Sequence, residues 1–151
     1  MKTKFSCACL LGLLAVALLV TPMGAQTRQY RDATSGFLNQ TTFVALGAET
    51  ASGDSGTPVD MGPYSNGVIH INVTAESGTG TPTLTVTFQS CADATITYCS
   101  THTASSGITA TGNTILKVSN YGRYVRVIYT ISGTTPSFTF QVLGAFKPYG
   151  Q

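Results

Sequence analysis

Serine chemistry needs a hydroxyl, a histidine to take its proton and a carboxylate to orient that histidine. One segment of this 151-residue chain is shaped to present such a hydroxyl, the turn Gly53-Asp54-Ser55-Gly56-Thr57-Pro58-Val59. Both histidines, His70 and His102, come later in the chain, and neither has a second histidine or a carboxylate close by in sequence. The acids Asp32, Glu49, Asp54, Asp60, Glu76 and Asp93 stand singly. Their spacing is neither that of a calcium loop nor that of a carboxylate pair on one helix turn. Convergence in space, as glycoside hydrolysis requires, stays open at this level.

The Gly53-to-Val59 segment resembles the nucleophile segment of trypsin-like serine proteases, in which a Gly-Asp-Ser-Gly turn presents the serine and backbone donors for the oxyanion. That family places its His and Asp upstream of the serine. Here no His precedes Ser55, and residues 26–151 are too few for two barrels. A hydrophilic turn is therefore the expectation, with no catalytic residue, cofactor or metal site.

Four cysteines set the compartment. Residues 1–25 read as a signal peptide: Lys2 and Lys4 form a positive start, Leu10 to Val20 an apolar stretch, and Thr21-Pro22-Met23-Gly24-Ala25 a small-residue cleavage region. The uncharged run from Phe5 to Val20 is short for a bilayer, which needs about 20 apolar residues. A secreted or cell-surface protein starting near Gln26 is expected, with no membrane attachment after cleavage. Cys7 and Cys9 leave with the signal, so Cys91 and Cys99 are expected to be bonded. The loop they close is worth roughly 2.5 kcal/mol in the chain-entropy treatment. Their spacing fits neither a Cys-x-x-Cys redox site nor a metal site.

Eight Lys and Arg against six Asp and Glu give +2, and without Lys2 and Lys4 the charges balance. That argues against a nucleic-acid partner. The balance is uneven along the chain: every acid lies at or before Asp93, whereas Lys117, Arg123, Arg126 and Lys147 follow it with no acid among them. Complementary acidic and basic surfaces would favour head-to-tail contacts between copies.

Period-two alternation is what must position these groups. Ile69, Ile71, Val73 and Ala75 share one face opposite His70, Asn72 and Thr74. The same period runs through Leu84-Val86-Phe88, Val125-Val127-Tyr129-Ile131 and Phe138-Phe140-Val142. Weaker strands are expected at Thr42–Leu46, Val59–Met61, Thr95–Cys99 and Thr114–Val118, between Ser- and Gly-rich turns. With sixteen Gly and no helical stripe after the signal, this predicts an all-β antiparallel sandwich, jelly-roll or immunoglobulin-like, of seven or eight short strands and one disulfide. Residues 26–48 form an N-terminal segment, a candidate exchanged strand, and residues 49–151 the sandwich domain. Ser77-Gly78-Thr79-Gly80-Thr81-Pro82 is echoed by Ser132-Gly133-Thr134-Thr135-Pro136, which predicts two related hairpins that face each other across the sandwich.

Two functional classes follow. In a carbohydrate-binding module, Tyr64, Tyr98, Tyr121 and Tyr124 would supply stacking surfaces in a chain without Trp. Asn39-Gln40-Thr41 and Asn72-Val73-Thr74 match the N-glycosylation pattern. In a self-assembling structural subunit, Phe43, Val44 and Leu46 would anchor an exchanged strand in a neighbour, aided by Lys117, Arg123 and Arg126. The segments Thr50 to Gly56, Ile71-Asn72-Val73-Thr74-Ala75, Pro82-Thr83-Leu84, Gly122-Arg123-Tyr124-Val125-Arg126-Val127 and Pro136-Ser137-Phe138-Thr139-Phe140 resemble small β-rich structural proteins of tailed phages and prophages, over roughly residues 50–143. The resemblance implies an assembly component without catalysis, and an exported surface or fibre relative would fit the signal. The expected partner is another copy of the chain.

Overall fold

The computed structural model describes residues 27–32 and 36–148, so the signal-peptide reading of residues 1–25 lies outside the described residues. Among the described residues eight antiparallel strands make one sheet: β1 (Thr27–Asp32), β2 (Gly36–Glu49), β3 (Gly53–Asp54), β4 (Val59–Asp60), β5 (Tyr64–Cys91), β6 (Cys99–Ala104), β7 (Gly112–Ser119) and β8 (Tyr124–Pro148). No helix occurs among the described residues. The all-β expectation holds, but the strands are not all short. The four strongly alternating segments belong to two long strands, β5 of 28 residues and β8 of 25.

β5 and β8 pair along their whole length as a ribbon, from Tyr64↔Pro148 to Cys91↔Tyr124. The Ser-Gly-Thr repeats lie halfway along it, and they correct the hairpin expectation. Instead of closing hairpins that face each other, the two copies lie side by side, pairing Ser77↔Ser137, Thr79↔Thr134 and Thr83↔Ser132 with a register shift between each pair and the next. Together they bend the ribbon. Positive φ at Gly78 (140°), Gly80 (72°), Thr81 (55°), Gly133 (126°) and Thr135 (47°) interrupts the pleat, which glycine tolerates without a Cβ penalty. Crowding adds a second requirement at Gly78, where a Cβ would stand 2.8 Å from Pro82 Cγ and 3.0 Å from Pro136 Cα. The turn chemistry read in the sequence is present, and it serves a corner in two neighbouring strands.

The bend divides the sheet into two halves. In the first, β1, β2, the C-terminal part of β8, the N-terminal part of β5 and β7 follow in that order. In the second, the short β3 and β4 flank the N-terminal part of β8, and β6 flanks the C-terminal part of β5. Inward residues of both halves build one core. Ile69, Ile71, Phe140, Val142 and Phe146 of the first and Leu84, Val86, Phe88, Val125 and Val127 of the second are fully enclosed. Rings meet across the halves: Phe43 and Phe88 at 6.2 Å edge-to-face, Phe88 and Phe146 at 6.4 Å, and Tyr129 and Phe140 at 5.1 Å. Each such ring buries a large apolar area and gains a further ~1 kcal/mol from edge geometry.

Thr95–Cys99 is not a strand. Asp93 accepts hydrogen bonds from Thr95 N at 2.8 Å and Thr95 Oγ1 at 2.6 Å, so the segment is held in an Asx-type turn and β6 begins only at Cys99. The expected disulfide is formed, with Cys91 and Cys99 directly opposite each other in the β5–β6 ladder. β2 crosses the 48/49 boundary and pairs with β8 of its own chain, because Phe43 and Val44 project into this core.

Candidate functional site

Ser55 is occupied by the backbone. Its N–H donates to Val127 O at 2.8 Å and its Oγ accepts from Val127 N at 3.0 Å, so one serine does the work of a ladder partner for β8. Asp54 accepts from Gly56 N at 2.7 Å, which shapes the turn. His102 lies against Phe88 and Tyr121, while His70 is exposed on the outer face of the first half. The structure therefore does not bring a histidine to the Ser55 turn.

A twin of this device stands on the opposite margin of the second half. Ser105 N donates to Val86 O at 2.8 Å and its Oγ accepts from Val86 N at 3.0 Å. Ser52 Oγ accepts from Ile131 N at 2.9 Å, and Ile108 exchanges both main-chain bonds with Leu84. Sequence reasoning missed these serines as structural groups. The available signal was a Ser-Gly or Ser-Ser-Gly step beside a strongly alternating strand, where a short side chain can reach a neighbouring amide.

The four tyrosines do not form a platform. Tyr64 and Tyr121 are buried, Tyr121 in ring contact with Phe88 and Phe146 at 5.7 Å each. Tyr98 is 67% exposed. Tyr124 lies half-buried beneath the Arg123 guanidinium, 5.3 Å from its ring centre. Arg123 is also forked onto Asp60, with Nε 3.1 Å from each carboxylate oxygen and Nη2 2.8 Å from Oδ2. The Arg123 hydrogen bonds, with a further one from Gly62 N, hold the Asp60 carboxyl below the usual carboxylate range. Both side chains face solvent, so the pair fixes the β4 turn more than it stabilises the fold.

The assembly residues divide in the same way. Phe43 and Val44 are spent in the chain's own core, and Leu46 is exposed. Arg126, its side chain 13% exposed, donates from Nε to Gln89 Oε1 at 2.7 Å and stands 3.7 Å from Asp54. Two late cations thus meet two early acids, Arg123 with Asp60 and Arg126 with Asp54, which removes much of the charge asymmetry along the chain. Lys117 stays exposed on β7.

Among the described residues β1, β6 and β7 are all outer strands, and β7, with eight residues against six, is the longest of the three. It pairs with β5 in unbroken register from Asn66↔Ser119 to Val73↔Gly112, and among the described residues no strand pairs with its other side. Outward along it point Asn113, Ile115, which is 54% exposed, and Lys117. An eight-residue edge of this kind can accept another strand by main-chain hydrogen bonding. Comparison with protein-family models and with curated proteins gives no match for this chain.

Proposed function

We propose that the protein is an exported, non-enzymatic structural subunit that assembles with further copies of itself through the open edge of β7. One observation carries the reading: β7 offers eight residues of unpaired margin in unbroken register, longer than the six-residue strands β1 and β6, while the edges of β8 and β5 in the second half are covered by short strands and by Ser52, Ser55 and Ser105. Joining an edge to an edge satisfies main-chain donors and acceptors that otherwise depend on water. The disulfide fits an oxidising compartment, and no described helix is long and apolar enough to cross a membrane.

Electron microscopy and sedimentation of the purified protein test this, with Ile115→Lys as the variant. A second lysine two residues from Lys117 guards an edge by charge, at an exposed position that leaves the core alone. Ordered assemblies from the wild type, and a monomer with unchanged β circular dichroism from the variant, are expected. A wild type that stays monomeric at every concentration, or a variant that assembles equally well, overturns the reading.

A further inference from the structure

The outer face of the first half has a regular composition. Strand register aligns Asn113, Asn72 and Gln141 in one row across β7, β5 and β8, and Ile115, His70 and Leu143 in the next. Lys117 and Lys147 lie beyond them, each opposite a β5 residue of the same face, Val68 and Asn66. Two shallow hollows mark this surface, about 340 Å³ beside His70 and Leu143 and about 320 Å³ between Val68 and Lys147.

Charge is segregated here. Of the carboxylates whose side chains are described, Asp60 is held by Arg123, Asp54 faces Arg126, and Asp93 is engaged by Thr95. Glu49 bonds Tyr129 at the margin of the core, and Glu76 sits at the bend. None shares the face of Lys117 and Lys147, and neither lysine has a carboxylate partner among the described residues.

We propose that this face binds an anionic polysaccharide, with Lys117 and Lys147 pairing its carboxylates and the Asn113-Asn72-Gln141 row bonding its hydroxyls. Planar amides donate and accept together, which suits neighbouring sugar hydroxyls, and a strand-spaced row repeats that offer along a polymer. Val68, Ala145 and Leu143 lie between the polar groups as small patches for the C–H side of a sugar ring. Two lysines are too few for a phosphate backbone, and the β5, β7 and β8 residues of this face include no Trp, Tyr or Phe of the kind that seats a protein in a lipid interface.

Affinity electrophoresis of the purified protein through gels containing polygalacturonate tests the proposal, with neutral dextran gels and phosphatidylserine vesicles as comparisons. Retardation by polygalacturonate alone is expected, weakened roughly tenfold in Lys117→Gln/Lys147→Gln and relieved by salt. Asn72→Ala should weaken it further, while Arg123→Gln, which removes an exposed cation off this face, should not. Equal retardation in dextran, preferential vesicle binding, no retardation, or an undiminished shift in the double lysine variant overturns it. Sedimentation of each variant in the same buffer separates this outcome from failure of β7 assembly, because the face is present on a single copy.

Discussion

The two halves of the bent ribbon treat their margins differently. Along the second half, β8 is covered in sequence by Asp60 and Val59, then Ser55, then Asp54 and Gly53, then Ser52, so each stretch of edge meets a short strand or a hydroxyl. On its other side β6 is only six residues long, carries a register shift between Phe88 and Gln89, and gives way to Ser105 and Ile108. The first half ends in β1 on one side and in β7 on the other, and β7 is the longer of these two regular, uncovered edges. Natural sheets blunt edges that must not pair, and this chain covers β5 and β8 of the second half with short strands and serine hydroxyls, while the eight-residue edge of β7 carries a single lysine. The contrast locates the surface at which a further strand can join.

The largest expected effect breaks both halves at once. Phe88 touches Phe43, Tyr121 and Phe146 in the shared core, so Phe88→Ala should cost about 3–5 kcal/mol, enough to abolish the cooperative transition of a marginal domain in chemical denaturation. Removing the disulfide with Cys91→Ala/Cys99→Ala acts on the second half alone. It should lower stability by roughly 2.5 kcal/mol and leave any β7-mediated assembly of the folded fraction intact.

Tyr129, whose ring meets Phe140 across the halves, makes the shared core sensitive to pH. Burial, with Glu49 beside it, pushes its hydroxyl up to about 12 from an ordinary 10.0. The neutral form is favoured in the folded state, so its contribution is whole below pH 10 and disappears as pH rises towards 12. The unfolding free energy from denaturant titrations across that window should fall by about 2 kcal/mol in the wild type and by less in Tyr129→Phe. Smaller still is Ser55→Ala, which leaves the Val127 amide without its acceptor. A loss of about 1 kcal/mol is expected, together with faster exchange of that amide, while an equal loss at an exposed β7 hydroxyl such as Ser119→Ala would erase the distinction between the margins.

Much of this was legible before the fold. Alternation in Ile69-Ile71-Val73, Leu84-Val86-Phe88 and Val125-Val127-Tyr129 identifies the core face, because burial on one side of a sheet imposes a period of two. The Cys91 and Cys99 pairing follows from compartment and count. The Ser-Gly-Thr repeats were misleading because positive-φ chemistry serves a corner as readily as a hairpin, and only pairing between the copies distinguishes them. Thr95–Cys99 has strand-like residues, yet the Asp93 side chain takes the Thr95 amide and hydroxyl. Which strand ends up at an edge depends on the order of β5, β7 and β8, and Ser55 or Ser105 acquires its role only from that order. Tyr64 and Tyr121 look like surface rings by their nearness to turns, but both are buried, Tyr121 against Phe88 and Phe146.

Concentration-dependent hydrogen exchange tests the contrast between margins most directly. Amide uptake in residues 112–119 and 124–131 is measured on dilute and concentrated protein. The account predicts that β7 gains protection on concentration while the N-terminal part of β8, already covered by its serines, keeps the same rates. Protection that appears in 124–131 instead, or rates in 112–119 that do not change with concentration, would contradict it.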